Sequence, residues 1–133
     1  MRVITAVCHA SRVVRCCVIV DDNERFLAVA RASLERDGLE VVGTATTTAE
    51  ALAKVDALRP DVVLVDIALG AESGFALTRR LVERHPGVAV VLISTRREED
   101  VAELVEASPA AGFVWKARLS AGAVRDLMSA RDA

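Results

Sequence analysis

The sequence predicts an α/β fold, a three-layer (βα)5 doubly wound sandwich around a parallel sheet. Short runs of β-branched and aliphatic residues alternate with longer amphipathic stretches along the 133 residues, which is the pattern of βα units. Hydrophobic residues make up 53% of the chain and aromatic residues only 3%, so Val, Leu, Ala and Ile must build the core. Right-handed crossovers and the strand order 2-1-3-4-5 suit five such units.

Five strands are predicted where short apolar runs are bounded by polar or turn residues. In chain order they cover about residues 15–20, 39–45, 62–65, 88–93 and 112–115. A helix is predicted after each strand, over about residues 23–37, 47–59, 74–85, 98–107 and 120–130. Residues 1–14 have no clear period and are predicted to be a tail that precedes a single domain of residues 15–133.

The helix boundaries follow from capping and stop signals. Gly38 suits the C-terminal cap of the first helix, and Thr47 followed by Glu50 is a capping-box pattern for the second. The second, third and fourth helical patterns each end before a proline, at Pro60, Pro86 and Pro109. Residues 67–73 lie between the third strand and the third helix and are predicted to form a loop.

Charge and hydropathy exclude several classes of function. The net charge is -2 and the predicted pI is 5.7, so the chain lacks the basic footprint of a nucleic-acid binder or a polybasic membrane anchor. No apolar run approaches the roughly 18 residues of a membrane span. The apolar stretch of residues 3–8 is shorter than the roughly 7–15 residues of a signal peptide's hydrophobic region. We therefore expect a cytoplasmic protein without membrane attachment.

The three cysteines cannot all pair with one another, and adjacent Cys16 and Cys17 point to opposite faces of a strand. The spacing of Cys8, His9, Cys16 and Cys17 fits no usual zinc pattern. We interpret the cysteines as reduced, partly buried thiols.

Polar side chains follow four of the predicted strands at the point where each strand ends. They are Asp21 and Asp22, Asp66, Ser94 with Thr95, and Lys116. The carboxyl ends of parallel strands share one edge of the sheet, where open α/β sheets place their sites. Crowded carboxylates repel one another, so such a group suits a hard divalent cation and leaves one carboxylate able to act as a nucleophile.

With these residues in place, the chain resembles the receiver domains of bacterial two-component response regulators. The resemblance covers about residue 15 to the C-terminus. The matching residues are Asp21 and Asp22 after strand one, Asp66 after strand three, Gly74 eight residues later, Ser94 after strand four, and Phe113–Lys116 in and after strand five. It implies a flavodoxin-like fold and a phosphoprotein of phosphorelay signal transduction.

The resemblance also implies the roles of individual residues. Asp66 is the expected phosphoacceptor, which takes a phosphoryl group from a sensor histidine kinase or a phosphotransfer protein. The expected cofactor is Mg²⁺ (or Mn²⁺), held by Asp21, Asp22, Asp66 and the backbone carbonyl of Ala68. No other cofactor is expected, and the chain is not expected to be an enzyme beyond self-phosphorylation from small donors and autodephosphorylation.

Two further polar residues and one aromatic residue complete the implied site. Ser94 is expected to donate a hydrogen bond to a phosphoryl oxygen, and Lys116 to act on the same group as a point charge. Ser94 and Phe113 would then form a two-state switch, read by a downstream protein on the surface of helix four, strand five and helix five. The expected oligomeric state is a monomer or a phosphorylation-dependent dimer. Direct nucleic-acid binding is not expected.

The sequence departs from the family pattern near this site. Ala117 follows the lysine where the family has a proline, so the Lys116–Ala117 peptide is predicted to be trans and its loop rearranged. Gly70 stands where the family has proline, which predicts a more mobile loop. Thr95 replaces a smaller alanine and could narrow access to Asp66, while Arg96 occupies a position that tunes the lifetime of the acyl phosphate.

Two other interpretations remain open, and two further classes are disfavoured by the residues present. The chain could be the receiver part of a longer DNA-binding regulator, or a receiver-fold interaction module that signals without phosphorylation. An aspartate-nucleophile phosphatase would need a second carboxylate two residues after the nucleophile, where this chain has Ala68. A flavin-binding protein would need a Ser/Thr- or Gly-rich first loop, where this chain is acidic.

Overall fold

The computed structural model describes residues 16–132, so the predicted tail with Cys8 and His9 lies outside the described residues. The five strands of the main sheet are β1 Cys16–Val20, β2 Glu40–Ala45, β3 Val62–Asp66, β6 Ala89–Ser94 and β7 Gly112–Trp115. They lie in the order β2-β1-β3-β6-β7, and all four neighbouring pairs are parallel. This is the predicted order 2-1-3-4-5, so the predicted fold class is confirmed.

Helices cover both faces of the sheet and complete the three layers. They are α1 Glu24–Arg36, α2 Thr48–Leu58, α3 Gly74–Arg84, α4 Glu98–Glu106 and α5 Ala121–Asp132. Successive strand residues alternate between faces: Ile19 packs on the side of α1 and α5, and Val20 on the side of α2 and α3. Both faces are apolar because both are buried, as a parallel sheet requires.

The capping signals at Thr47 and Gly38 are confirmed, and Asn23 adds a cap that the sequence analysis did not name. The side chain of Asn23 caps α1 by accepting from the backbone N–H of Phe26, and that of Thr47 caps α2 by accepting from Glu50. The Glu50 carboxylate reaches back to the backbone N–H of Thr46, one residue earlier than the capping-box pattern predicts. Gly38 follows α1 with a φ of +93°, a conformation that favours glycine.

The predicted loop of residues 67–73 differs from the structure. It contains a small antiparallel hairpin, β4 Ala68–Leu69 paired with β5 Glu72–Ser73. Gly70 is the first of the two turn residues and has a φ of +63°, the positive angle that a tight hairpin turn needs at this point. The Glu72 side chain also accepts a hydrogen bond from the backbone N–H of Thr48 and so ties the hairpin to α2.

Two cysteines lie among the described residues, both in β1. Cys17 is a free and fully buried thiol, whereas Cys16 is disulfide-bonded. The prediction of reduced thiols is therefore wrong for Cys16. Cys17 remains unpaired because its side chain points from the strand into the apolar core beside α1 and α5.

Burial of Cys17 predicts a loss of stability in alkaline solution. Burial raises the pKa of this thiol from its usual 9.0 to about 12. Between these values the folded protein holds a proton that the unfolded chain releases, so the free energy of unfolding falls as pH rises above about 9 and is unaffected below it. Urea unfolding at about pH 7 and pH 10 should show a larger loss for the wild type than for Cys17→Val. Equal losses would contradict this explanation.

Within residues 16–132, no helix combines the length and apolar character needed to cross a bilayer.

Candidate functional site

The carboxyl ends of β1 and β3 bring three carboxylates together. Val20 pairs with Val65 across the two strands, so Asp21 follows β1 beside Asp66, the last residue of β3. One carboxylate oxygen from each of Asp21, Asp22 and Asp66 lies within 4.8 Å of the others. The acids that the sequence predicted to converge therefore do so, at the carboxyl edge of a parallel sheet.

The two acids after β1 differ in environment. Asp21 is fully buried, and its Oδ1 accepts a hydrogen bond from the backbone N–H of Asn23 at 2.9 Å. Its Oδ2 is buried and lies 2.6 Å from the ammonium group of Lys116. Asp22 is exposed to solvent at the same edge. A buried anionic oxygen with only an ion-pair partner has spare capacity for a cation.

Asp66 is nearly buried, with 7% of its surface exposed. Its Oδ1 accepts from the backbone N–H of Ala68 at 3.2 Å, and its Oδ2 lies 3.2 Å from Nζ of Lys116. Burial, and then the charge of Asp21, raise the pKa of the Asp66 carboxyl, against the opposing effects of the Ala68 N–H and Lys116. Without a further cation, the pocket therefore disfavours the ionised form of Asp66.

Lys116 supplies the cation that faces both buried acids. Burial lowers the pKa of Lys116, but the carboxylates of Asp21 and Asp66 together raise it above its usual value, so the side chain stays charged. No peptide bond among the described residues is cis, so the Lys116–Ala117 bond is trans, as predicted. The segment that begins at Lys116 is a single 3₁₀ turn, Lys116–Arg118, and Nζ lies between the two acids.

The end of β6 adds a buried hydroxyl. Ser94 is 5% exposed, and its Oγ accepts from the backbone N–H of Arg96 at 2.9 Å. Thr95 and Arg96 are exposed beside it. Ser94 and the three acids line one cleft of about 590 Å³, together with Asn23, Ile67, Ala68, Gly70, Thr95, Arg96 and Lys116.

The aromatic residues of β7 lie outside this cleft. Phe113 is half-buried and packs against the cluster of residues on the α2 and α3 side of the sheet. Trp115 donates its indole N–H to the carbonyl of Thr95 at 3.0 Å, and the guanidinium of Arg97 lies 4.5 Å from the centre of its ring. Trp115 therefore holds the segment after Ser94 to β7, a contact that the sequence analysis did not predict.

Two other residues stand apart from the sequence-based interpretation. His85 lies outside the cleft, where its Nε2 is 2.7 Å from Oδ1 of Asp56 and makes an ion pair when protonated. The ring of Phe26, in the first turn of α1, lies under the ammonium group of Lys116. The sequence analysis did not single out Phe26, because periodicity does not reveal which side chain it would meet across the sheet.

The arrangement fits a hard divalent cation. Mg²⁺ prefers carboxylate and carbonyl oxygens, and the cleft offers three clustered carboxylates with one oxygen of each within 4.8 Å of the others. Ala68 lines the cleft beside Asp66. The donor set contains only oxygen, which favours Mg²⁺ or Mn²⁺ over softer metals.

Known proteins share both the sequence and the fold. Response regulator GacA of Pseudomonas viridiflava is 34% identical over 100 residues, which are 74% of this chain and 47% of that protein. The DNA-binding transcriptional activator DevR/DosR of Mycobacterium tuberculosis is 37% identical over 103 residues, 74% of this chain and 46% of that protein. The chain thus spans about half the length of these relatives.

A solved structure agrees with these relatives. The signal receiver domain of the response regulator NarL from Mycobacterium tuberculosis superposes with a TM-score of 0.75 at 27% identity, covering 84% of this chain and 94% of that domain. The sequence profile of the response regulator receiver domain matches residues 17–123, which include every strand of the main sheet except the first residue of β1. The chain therefore belongs to the response regulator receiver domain family.

Proposed function

We propose that Asp66 accepts a phosphoryl group from the phosphohistidine of a sensor histidine kinase or a phosphotransfer protein. The observation that carries this proposal is the cleft itself, in which a nearly buried carboxylate lies beside two further acids and one lysine. Membership of the receiver family supports the same role. Receiver domains are generally not enzymes, and we propose that this one acts as a phosphoryl acceptor and switch.

The chemistry follows from the groups that face Asp66. A carboxylate oxygen of Asp66 attacks phosphorus, the P–N bond to the donor imidazole breaks, and the imidazole nitrogen keeps the electron pair and takes up a proton. The product is an acyl phosphate. Lys116, now 3.2 Å from Oδ2, would balance one negative charge of the new group, and the Ser94 hydroxyl would donate a hydrogen bond to one of its oxygens.

Asp21, Asp22, Asp66 and the backbone carbonyl of Ala68 would hold Mg²⁺ or Mn²⁺. The bound ion would neutralise the clustered carboxylates and the charge that develops on the transferring group. Asp21 is the member held most firmly, since Asn23 fixes one of its oxygens and the other faces the pocket. Exposed Asp22 would complete the ligand set from the solvent side.

The switch would run from Ser94 to the β7 surface. When Ser94 turns toward the phosphoryl group, its Oγ releases the backbone N–H of Arg96, and the segment before α4 must move. Phe113, already half-buried, would turn further into the space vacated. We propose that a downstream partner reads the change on α4, β7 and α5. A DNA-binding output is favoured where the protein continues as its DevR/DosR relative does.

The direct test is phosphoryl uptake from a small donor. Incubation with acetyl phosphate and Mg²⁺, followed by intact-mass measurement, should show one added phosphoryl group per chain. Chelation of the metal with EDTA before the donor is added should reduce uptake by at least about tenfold, because the unneutralised acids repel the incoming anion. If no phosphoryl group is added in the presence of Mg²⁺, the proposal is wrong and a receiver-fold interaction module is favoured.

A further inference from the structure

The ammonium group of Lys116 has a third neighbour besides the two carboxylates. Its Nζ lies 4.4 Å from the centre of the Phe26 ring, 2.6 Å from Asp21 Oδ2 and 3.2 Å from Asp66 Oδ2. A cation within about 6 Å of an aromatic centroid is attracted by the negative face of the ring. The Lys116 side chain is 13% exposed, so water screens this attraction little.

Phe26 is itself held in place by the acidic site. Asp21 Oδ1 accepts from the backbone N–H of Asn23, and Asn23 Oδ1 accepts from the backbone N–H of Phe26 at 3.1 Å. The ring of Phe26 meets Lys116, and Lys116 returns to Asp21 Oδ2. Asp21, Asn23, Phe26 and Lys116 are thus linked in a closed series of contacts. In this series, the first turn of α1 places the aromatic ring beside the lysine.

A small cavity shows what the ring prevents. It has a volume of about 110 Å³ and is lined by Phe26, Val29, Ala30, Ser33, Leu34, Lys116 and Leu119. Lys116 has a flexible four-carbon stem. Without the Phe26 ring, that stem would gain room to withdraw from the acids into this space.

We propose that Phe26 is a positioning residue that holds the Lys116 ammonium over the acidic cleft by a cation–π contact. The inference rests on the proposed function of Lys116 in phosphoryl transfer. When one Asp66 oxygen becomes part of an acyl phosphate, the charge on that side of Lys116 is redistributed. The ring keeps its own attraction throughout, because it neither titrates nor takes part in the reaction.

The kinetic test compares variants at position 26 with a control on the same helix. Phe26→Leu should lower the rate constant for uptake from saturating acetyl phosphate by roughly three- to tenfold, the range of a partly desolvated cation–π contact. Phe26→Tyr should restore near wild-type rates because it keeps the ring. Val29→Ala is the matched control: Val29 lines the same cavity and is 64% exposed, so its rate should stay unchanged.

A double-mutant cycle separates positioning from a general structural effect. In a Lys116→Met background, Phe26→Leu should have no further effect, since the group that it positions is gone. Equal losses in the two backgrounds, or a Phe26→Leu rate equal to that of Val29→Ala, would overturn the inference.

An NMR measurement tests the contact between the Phe26 ring and Lys116 in the unphosphorylated protein. The chain has only two lysines, Lys54 and Lys116, so selective ¹³C labelling gives two assignable side chains. Phe26→Leu should shift the ε-methylene signals of Lys116 and leave those of Lys54, which bonds the Thr44 carbonyl, unchanged. An unshifted Lys116 signal would overturn the inference. Absent uptake by the wild type would instead sink the proposed function.

Discussion

Asp66→Asn should abolish phosphoryl uptake from acetyl phosphate while the protein remains folded. The amide lacks the anionic oxygen that attacks phosphorus, and the loss is expected to exceed about a thousandfold, as when a nucleophile is removed. The fold should tolerate the change, because burial and the charge of Asp21 already disfavour ionised Asp66. The free energy of unfolding should therefore stay within about 1 kcal/mol of the wild type or rise above it. Intact mass and urea unfolding measure the two effects separately.

Asp100→Asn provides the matched control. Asp100 lies in the first turn of α4, is exposed and is not among the residues that line the acidic cleft. It should take up the phosphoryl group at the wild-type rate. If Asp66→Asn still gained one phosphoryl group per chain, another residue would have to be the acceptor.

Gly74→Ala should be among the most destabilising single substitutions in the domain. A Cβ atom at residue 74 would lie 2.1 Å from the carbonyl oxygen of Asp66 and 2.8 Å from Cα of Ile67. Both neighbours are backbone atoms, and the Gly74 N–H donates a hydrogen bond to the Ile67 carbonyl at 2.8 Å. Neither backbone segment can therefore move away from the added Cβ atom without a loss of stability. We expect a loss of about 3 kcal/mol in the free energy of unfolding, measured by urea denaturation.

Gly87→Ala tests whether this loss is specific to the position. A Cβ atom at residue 87 would meet no neighbour within 4 Å, so its effect should stay within about 0.5 kcal/mol. Any Gly74→Ala protein that does fold must move the end of β3, and its phosphoryl uptake should be slower. A Gly74→Ala variant as stable as Gly87→Ala would show that the strand end and the start of α3 are not packed as described.

Helix and strand positions were largely predictable from sequence because they depend on local signals. α1 ends before Gly38 and α2 begins after Thr47, as the capping signals indicated. The hairpin of β4 and β5 was missed because two-residue strands have no periodicity to detect. The disulfide state of Cys16 was mispredicted, since the redox state of a cysteine depends on a partner that spacing alone does not identify.

The convergence of the acids was also predictable, whereas their partners were not. Parallel strands must end at one edge, so Asp21 and Asp66 had to be neighbours once the strand order was known. That Lys116 lies closer to Asp21 than to Asp66, at 2.6 Å against 3.2 Å, depends on the 3₁₀ turn that follows β7. The bond from Trp115 to the Thr95 carbonyl depends on the same local packing.

The amino-acid sequence by itself determined the five βα units, the strand that carries each polar residue and the family to which they point. Periodicity and chain order carry this information, because a strand alternates its faces and a crossover has one hand. Only the tertiary structure decided that the ring of Phe26 meets Lys116 and that Gly74 has no room for a side chain. Contacts between residues distant in sequence arise from close packing across the sheet, where shifts of an ångström change which atoms touch.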